Sequence, residues 1–139
     1  MSVYLDASVL VSMFARDTNT TAALRYLDKG FDCFTSVWAA AEVSSALSLQ
    51  VRMGRLQPGE RENAEARLDQ WLSARGSSAA PMFEDHLEAR ALVRTCRTAL
   101  RAPDALHLAL CRRLDCGVAT FDLRMFEAAQ EIGLAAVAL

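Results

Sequence analysis

Two short apolar runs, Val3-Tyr4-Leu5 and Gly117-Val118-Ala119-Thr120-Phe121, each stop at an aspartate and pass straight into a helical pattern. Runs this short and this rich in strand formers belong in the buried interior of a parallel sheet. Parallel strands need crossover connections, which are right-handed, so strand ends of this kind gather on one edge. Asp6 and Asp122 are therefore expected to share the crevice in which open α/β sheets take ligands. Each aspartate also has a plain structural role open to it, as a turn starter or a helix cap.

The rest of the chain alternates in the same way. Ser8 offers a cap for a short helix, Val9 to Phe14. Asp17-Thr18-Asn19-Thr20 opens a second, with Ala22, Ala23, Tyr26 and Leu27 on one face and Gly30 closing it. Phe31 to Thr35 reads as a strand. Ser36 then caps a helix over Val37 to Met53, whose stripe is Ala39, Ala46, Leu49 and Met53. Pro58 starts a helix to residue 73, apolar at Ala64, Leu68, Trp71 and Leu72, completing an αα-hairpin. Gly76-Ser77-Ser78 is expected to be a loop and Pro81-Met82-Phe83 a short strand. From Glu84 a helix is expected to turn Ala89, Leu92, Val93, Cys96 and Leu100 inward. Pro103 takes the first position of another helix, Leu123 to Glu131 forms the last, and Leu134 to Val137 the final strand. This alternation predicts a three-layer α/β/α sandwich with a mainly parallel central sheet, one domain over residues 1–139.

Composition excludes several classes of function. A chain of 139 residues, 53% hydrophobic and 23% charged, can bury roughly two-thirds of its unfolded surface. Its net charge of −2 provides no global basic field for nucleic acid. Lys29 is the only lysine among 15 basic residues, a bias that genomic base composition explains as well as function does. Cys33, Cys96, Cys111 and Cys116 contain no C-x-x-C pair, and only His86 and His107 could join them, so reduced thiols are expected rather than zinc. Asp6 interrupts the only early apolar stretch, and no run is long enough to span a membrane. A cytoplasmic protein is expected.

Two further acids stand out. Glu42 lies among Trp38, Val43 and Leu47 on an apolar helix face, where a carboxylate costs desolvation unless it meets a cation, a proton or a metal. A rim position or a buried pair with an arginine would also explain it. Asp104 falls in the first turn after Pro103, where the helix dipole alone favours an anion. His107, three residues on, reads as a satisfied core histidine. Arg90, Arg94, Arg97 and Arg101 line one flank at helical spacing; they form either a solvated face or a local phosphate track. Four carboxylates meeting without a cation would repel one another, and oxygen donors without paired Cys or His suit Mg²⁺ or Mn²⁺.

Taken together, Leu5-Asp6-Ala7-Ser8, Ala41-Glu42-Val43, Pro103-Asp104-Ala105-Leu106-His107-Leu108-Ala109 and Thr120-Phe121-Asp122 resemble the PIN domain, and most of all the VapC-like ribonuclease toxins. The likeness runs through essentially the whole chain. Phe121 departs from it, standing where many members carry a small or polar residue. The resemblance implies metal-dependent endonucleolytic cleavage of RNA, with Asp6 and Asp104 as principal ligands and Asp122 and Glu42 completing the site. Ser8 and Thr120 would orient a ligand or a water, and Arg97 and Arg101 are candidates to touch RNA. The family also implies a small cognate antitoxin and a homodimer. A non-catalytic scaffold for RNA or protein is the alternative. Phosphotransfer fits poorly: a receiver domain needs an acidic pair and a late lysine, and a haloacid-dehalogenase-type phosphatase needs Asp-x-Asp where this chain reads Asp6-Ala7-Ser8.

Overall fold

The computed structural model describes residues 2–75 and 78–139. Strand β1 (Val3–Leu5) leads into α1 (Ala7–Phe14) and α2 (Thr20–Leu27), then β2 (Cys33–Ser36), α3 (Val37–Arg52) and α4 (Pro58–Arg75). Strand β3 (Ser78–Ala79) is followed by α5 (Phe83–Thr95), α6 (Ala102–Arg113), β4 (Gly117–Thr120), α7 (Leu123–Glu131) and β5 (Ala136–Ala138). The strands pair in parallel in the order β3-β2-β1-β4-β5. Val3 stands opposite Cys33 and Gly117, and Leu5 opposite Ala119, so β1 and β4 end side by side.

Right-handed crossovers place α1 to α4 on one face and α5 to α7 on the other, as the packing of α1 on α3 and α4, and of α6 on α5 and α7, requires. The winding reverses between β1 and β4. Their carboxyl ends therefore flank the switch point where such sheets open a crevice. Strands β1 and β4 are apolar on both faces because both faces are covered; Tyr4, Leu5, Val118 and Ala119 are fully buried. Edge-to-face contact of Phe14 with Trp71, ring centres 6.2 Å apart, and a bond from Arg67 to the Phe14 carbonyl seat α4 on α1. Gly54 adopts φ +68°, the left-handed conformation that ends α3 and lets the hairpin turn.

Several local expectations shift. Helix α1 begins at Ala7, with Asp6 rather than Ser8 as its cap. Helix α2 starts at Thr20, and Ala22 is exposed. Strands β2, β4 and β5 differ by a residue or two from the apolar runs. On α3 the buried stripe is Ala39, Val43 and Leu47, while Leu49 and Met53 face solvent. The strand expected at 81–83 lies instead at Ser78–Ala79, and Phe83 already belongs to α5. Of the expected loop at 76–78, residues 76 and 77 lie outside the described residues. Helix α5 stops at Thr95, so Leu100 reaches the core from the following connection. The four-arginine row is thereby broken between Arg94 and Arg97.

Candidate active site

Asp6 leaves β1 at the switch point with only 5% of its surface exposed. Its Oδ1 accepts the Ser8 hydroxyl at 2.7 Å and the Val9 N–H at 3.1 Å, which caps α1. Its Oδ2 accepts the Thr120 hydroxyl of β4 at 2.7 Å. Among the described residues no cationic side chain pairs with it. Burial raises the Asp6 carboxyl above its ordinary range, and the Ser8, Thr120 and Val9 bonds work against that rise.

Ser8 and Thr120 stitch the two strand ends together. Thr120 Oγ1 accepts the Asp122 N–H at 2.9 Å, and Ser8 Oγ accepts the Phe121 N–H at 3.0 Å. Asp122 Oδ1 in turn accepts the N–H groups of Arg124 and Met125, capping α7. The structural role open to both strand-end aspartates is thus real, and it fixes their positions. Asp104 enters from the first turn of α6. Arg101, directly before that helix, donates from Nε to Asp104 Oδ2 at 2.9 Å and lies 3.6 Å from Asp122 Oδ2. It links the two acids with a guanidinium that is 71% exposed.

Glu42 comes from α3 and is partnered by histidine rather than arginine. Its Oε2 lies 2.5 Å from His107 Nε2, and His107 Nδ1 lies 2.7 Å from the Tyr4 hydroxyl. That hydroxyl also lies 2.7 Å from Ser36 Oγ, which accepts the Ala39 N–H and so caps α3. With the Glu42 carboxylate accepting from a neutral imidazole, the protons run Ser36 to Tyr4, Tyr4 to His107 and His107 to Glu42. Burial pushes the Tyr4 hydroxyl well above its ordinary range, so it remains a donor. His107 is the satisfied core residue that its pattern suggests, yet it also orients Glu42.

Two clefts open on this edge. One, of about 380 Å³, is lined by Ser8, Asp17, Glu42 and Phe121; the other, of about 480 Å³, by Arg101, Phe121, Asp122 and Arg124. Phe121 stands between them. Asp17, in the sequence only a helix opener, joins the first cleft while accepting the Ser12 hydroxyl at 2.8 Å. Arg97 does not reach the acids: it pairs with Glu131, at the end of α7 remote from Asp122. The single acidic pocket expected from the sequence is not assembled as such. Among the described residues no three His, Cys, Asp or Glu groups already stand around one point at metal-binding spacing. Both Asp6 oxygens are committed to hydrogen bonds, and Arg101 provides the positive charge between Asp104 and Asp122 that keeps like charges together.

The family model of the PIN domain matches residues 3–131. Ribonuclease VapC46 of Mycobacterium tuberculosis is 32% identical over 99% of this chain and 97% of its own. Among solved structures, FitAcB from Neisseria gonorrhoeae superposes with a TM-score of 0.73 at 20% identity, over 96% of this chain and 95% of that one. VapC20 of Mycobacterium tuberculosis, a Sarcin-Ricin loop cleaving toxin, gives 0.72 at 20% identity, over 97% and 98%.

Proposed function

The chain belongs to the PIN-domain family, and on that premise we propose that it is a divalent-metal-dependent endoribonuclease, the toxin of a VapBC-type pair. One observation carries the proposal: a buried Asp6, with no cationic partner among the described residues, tied through Thr120 to Asp122, with Asp104 linked to Asp122 by a single exposed guanidinium. The donor set is all hard oxygen, which suits Mg²⁺ or Mn²⁺. Asp6 and Asp104 would hold the ion, with Asp122 and Glu42 completing its surroundings directly or through water. Such an ion supplies charge neutralisation at the scissile phosphate and a more acidic water.

The chain's own residues do the rest. Ser8 and Thr120 hold the Asp6 carboxylate in one rotation. His107 fixes Glu42, which can orient a water at the same edge. Arg101, paired with Asp104 and close to Asp122, would have to release both acids for them to hold a cation, and its exposed side chain suits a phosphate. The substrate is RNA, by analogy with the named ribonuclease and the loop-cleaving toxin, and the partner is a small antitoxin. We take residues 1–139 as one PIN unit, cytoplasmic and homodimeric; no described helix is long and apolar enough to cross a membrane. The pairing of Arg101 with both acids favours one other reading, a non-catalytic scaffold whose acids are closed by an internal cation. Metal-dependent cleavage of RNA decides between them. It should vanish with chelator and in Asp6→Asn, and cleavage surviving both would defeat the nuclease reading.

A further inference from the structure

A groove of about 540 Å³, inside the ~300–1,000 Å³ range of small-molecule sites, lies between α3, α5 and α6. Its walls are mainly apolar, formed by Trp38, Val93, Pro103 and Leu106 among others. Trp38 stands in the first turn of α3, just past the carboxyl end of β2, and Pro103 immediately precedes Asp104. The groove thus shares its walls with the chain neighbour of Asp104 and with a residue one helical turn before Glu42 on α3. Although its sequence pattern turns Val93 inward, that side chain is 44% exposed here.

The charged side chains that line the groove are Arg90 and Arg94, with His86 beside them and no acid among the lining residues. Neither arginine has an ion-pair partner among the described residues. Trp38 adds an independent sign. Its indole Nε1 is shielded from solvent and has no hydrogen-bond partner among the described residues. The half-buried indole therefore presents its ring, not its N–H, to the groove.

We propose that the groove is the subsite for an unpaired RNA base beside the cleaved phosphodiester, an inference that rests on the ribonuclease reading. The base packs against the Trp38 ring, Pro103 and Leu106, and Arg90 and Arg94 take the flanking phosphates. Single-stranded RNA is recognised in just this combination of planar apolar platform and cationic rim. A strand crossing the acids must continue past Pro103, and this is the surface it meets.

The test uses the whole chain in chelator, with fluorescein-labelled single-stranded RNA dodecamers and an abasic ribose-phosphate oligomer of the same length. The base-bearing strands should bind about 10-fold more tightly than the abasic one, as stacking on an aromatic platform gives. Trp38→Ala, which removes the stacking plane, should lower that preference. In a Trp71→Phe background the emission of Trp38 should change on RNA binding. The exposed pair Arg90→Ala and Arg94→Ala, which does not threaten the fold, should reduce the salt slope by about two. Equal binding of both oligomers, or an unchanged salt slope, overturns the subsite. So does an indole signal that follows protein concentration instead of RNA, since a second copy would then fill the groove. Cleavage with Mg²⁺ is scored separately on the wild type: its presence with pocket-independent binding sinks the subsite alone, and its absence for every RNA sinks the parent reading too.

Discussion

Asp6 is held by three donors and nearly buried, yet among the described residues it has no partner of opposite charge. A carboxylate in that state is destabilising until a cation arrives. Asp6→Asn should therefore fold in chelator with a melting temperature at or above that of the wild type, while losing both RNA cleavage and the thermal gain from millimolar Mg²⁺. Calorimetry with and without metal checks this. Arg101→Ala tests the internal cation. Because the guanidinium is 71% exposed, the loss in metal-free stability should stay below about 1 kcal/mol. The Mg²⁺-induced thermal gain should grow, since the competing charge has gone. Tyr4→Phe removes the hydroxyl between Ser36 and His107, costing about 1–2 kcal/mol in urea unfolding and slowing cleavage by loosening Glu42. Asp6 and Asp122 were legible because strand, acid and helix follow one another directly. The partner of Glu42 was not, because His107 lies 65 positions away.

At the scale of elements, α5 and α6 are joined by Asp85, which is 2% exposed. Its carboxylate takes Arg113 Nε and Nη2, from the last turn of α6, and the Met82 N–H at the start of α5. Burial pushes the Asp85 carboxyl up, but Arg113 and the Met82 N–H more than offset this and leave it below its ordinary range. A depressed carboxylate contributes stability at pH above its unfolded value, near 4, and loses it as pH falls through the folded value. Asp85→Asn should cost about 1–3 kcal/mol near neutrality and flatten the fall in stability toward about pH 3, read by urea unfolding across that range. Helix existence was largely legible, because capping residues and Pro58 or Pro103 mark the starts. The face of α3 was not. Its alanines and serines leave the apolar stripe ambiguous, and contact with α1 selects Val43 and Leu47 over Leu49 and Met53.

For the whole molecule, a metal held only by the native state would be linked to folding. If the carboxyl edge binds a divalent ion only when folded, metal at 100 times its Kd should add about 2.7 kcal/mol to unfolding, and chelator should remove it. Titration calorimetry combined with urea unfolding measures both sides of that linkage. No shift at saturating Mg²⁺ and Mn²⁺ would favour the scaffold reading. The strands can be short because β1 and β4 need only reach from the core to the switch point, where Asp6 meets Thr120, two residues before Asp122.

From sequence alone came the parallel sheet, its helical layers and the order in which acids reach one edge, since period, caps and strand–acid–helix junctions are local signals. Tertiary structure alone decided that Arg101 bridges Asp104 and Asp122, that His107 and Tyr4 hold Glu42, and that Val93 lines an open groove. Those outcomes depend on which side chains meet across the sheet edge, and residues far apart along the chain carry no local mark of the neighbour that will neutralise or bury them.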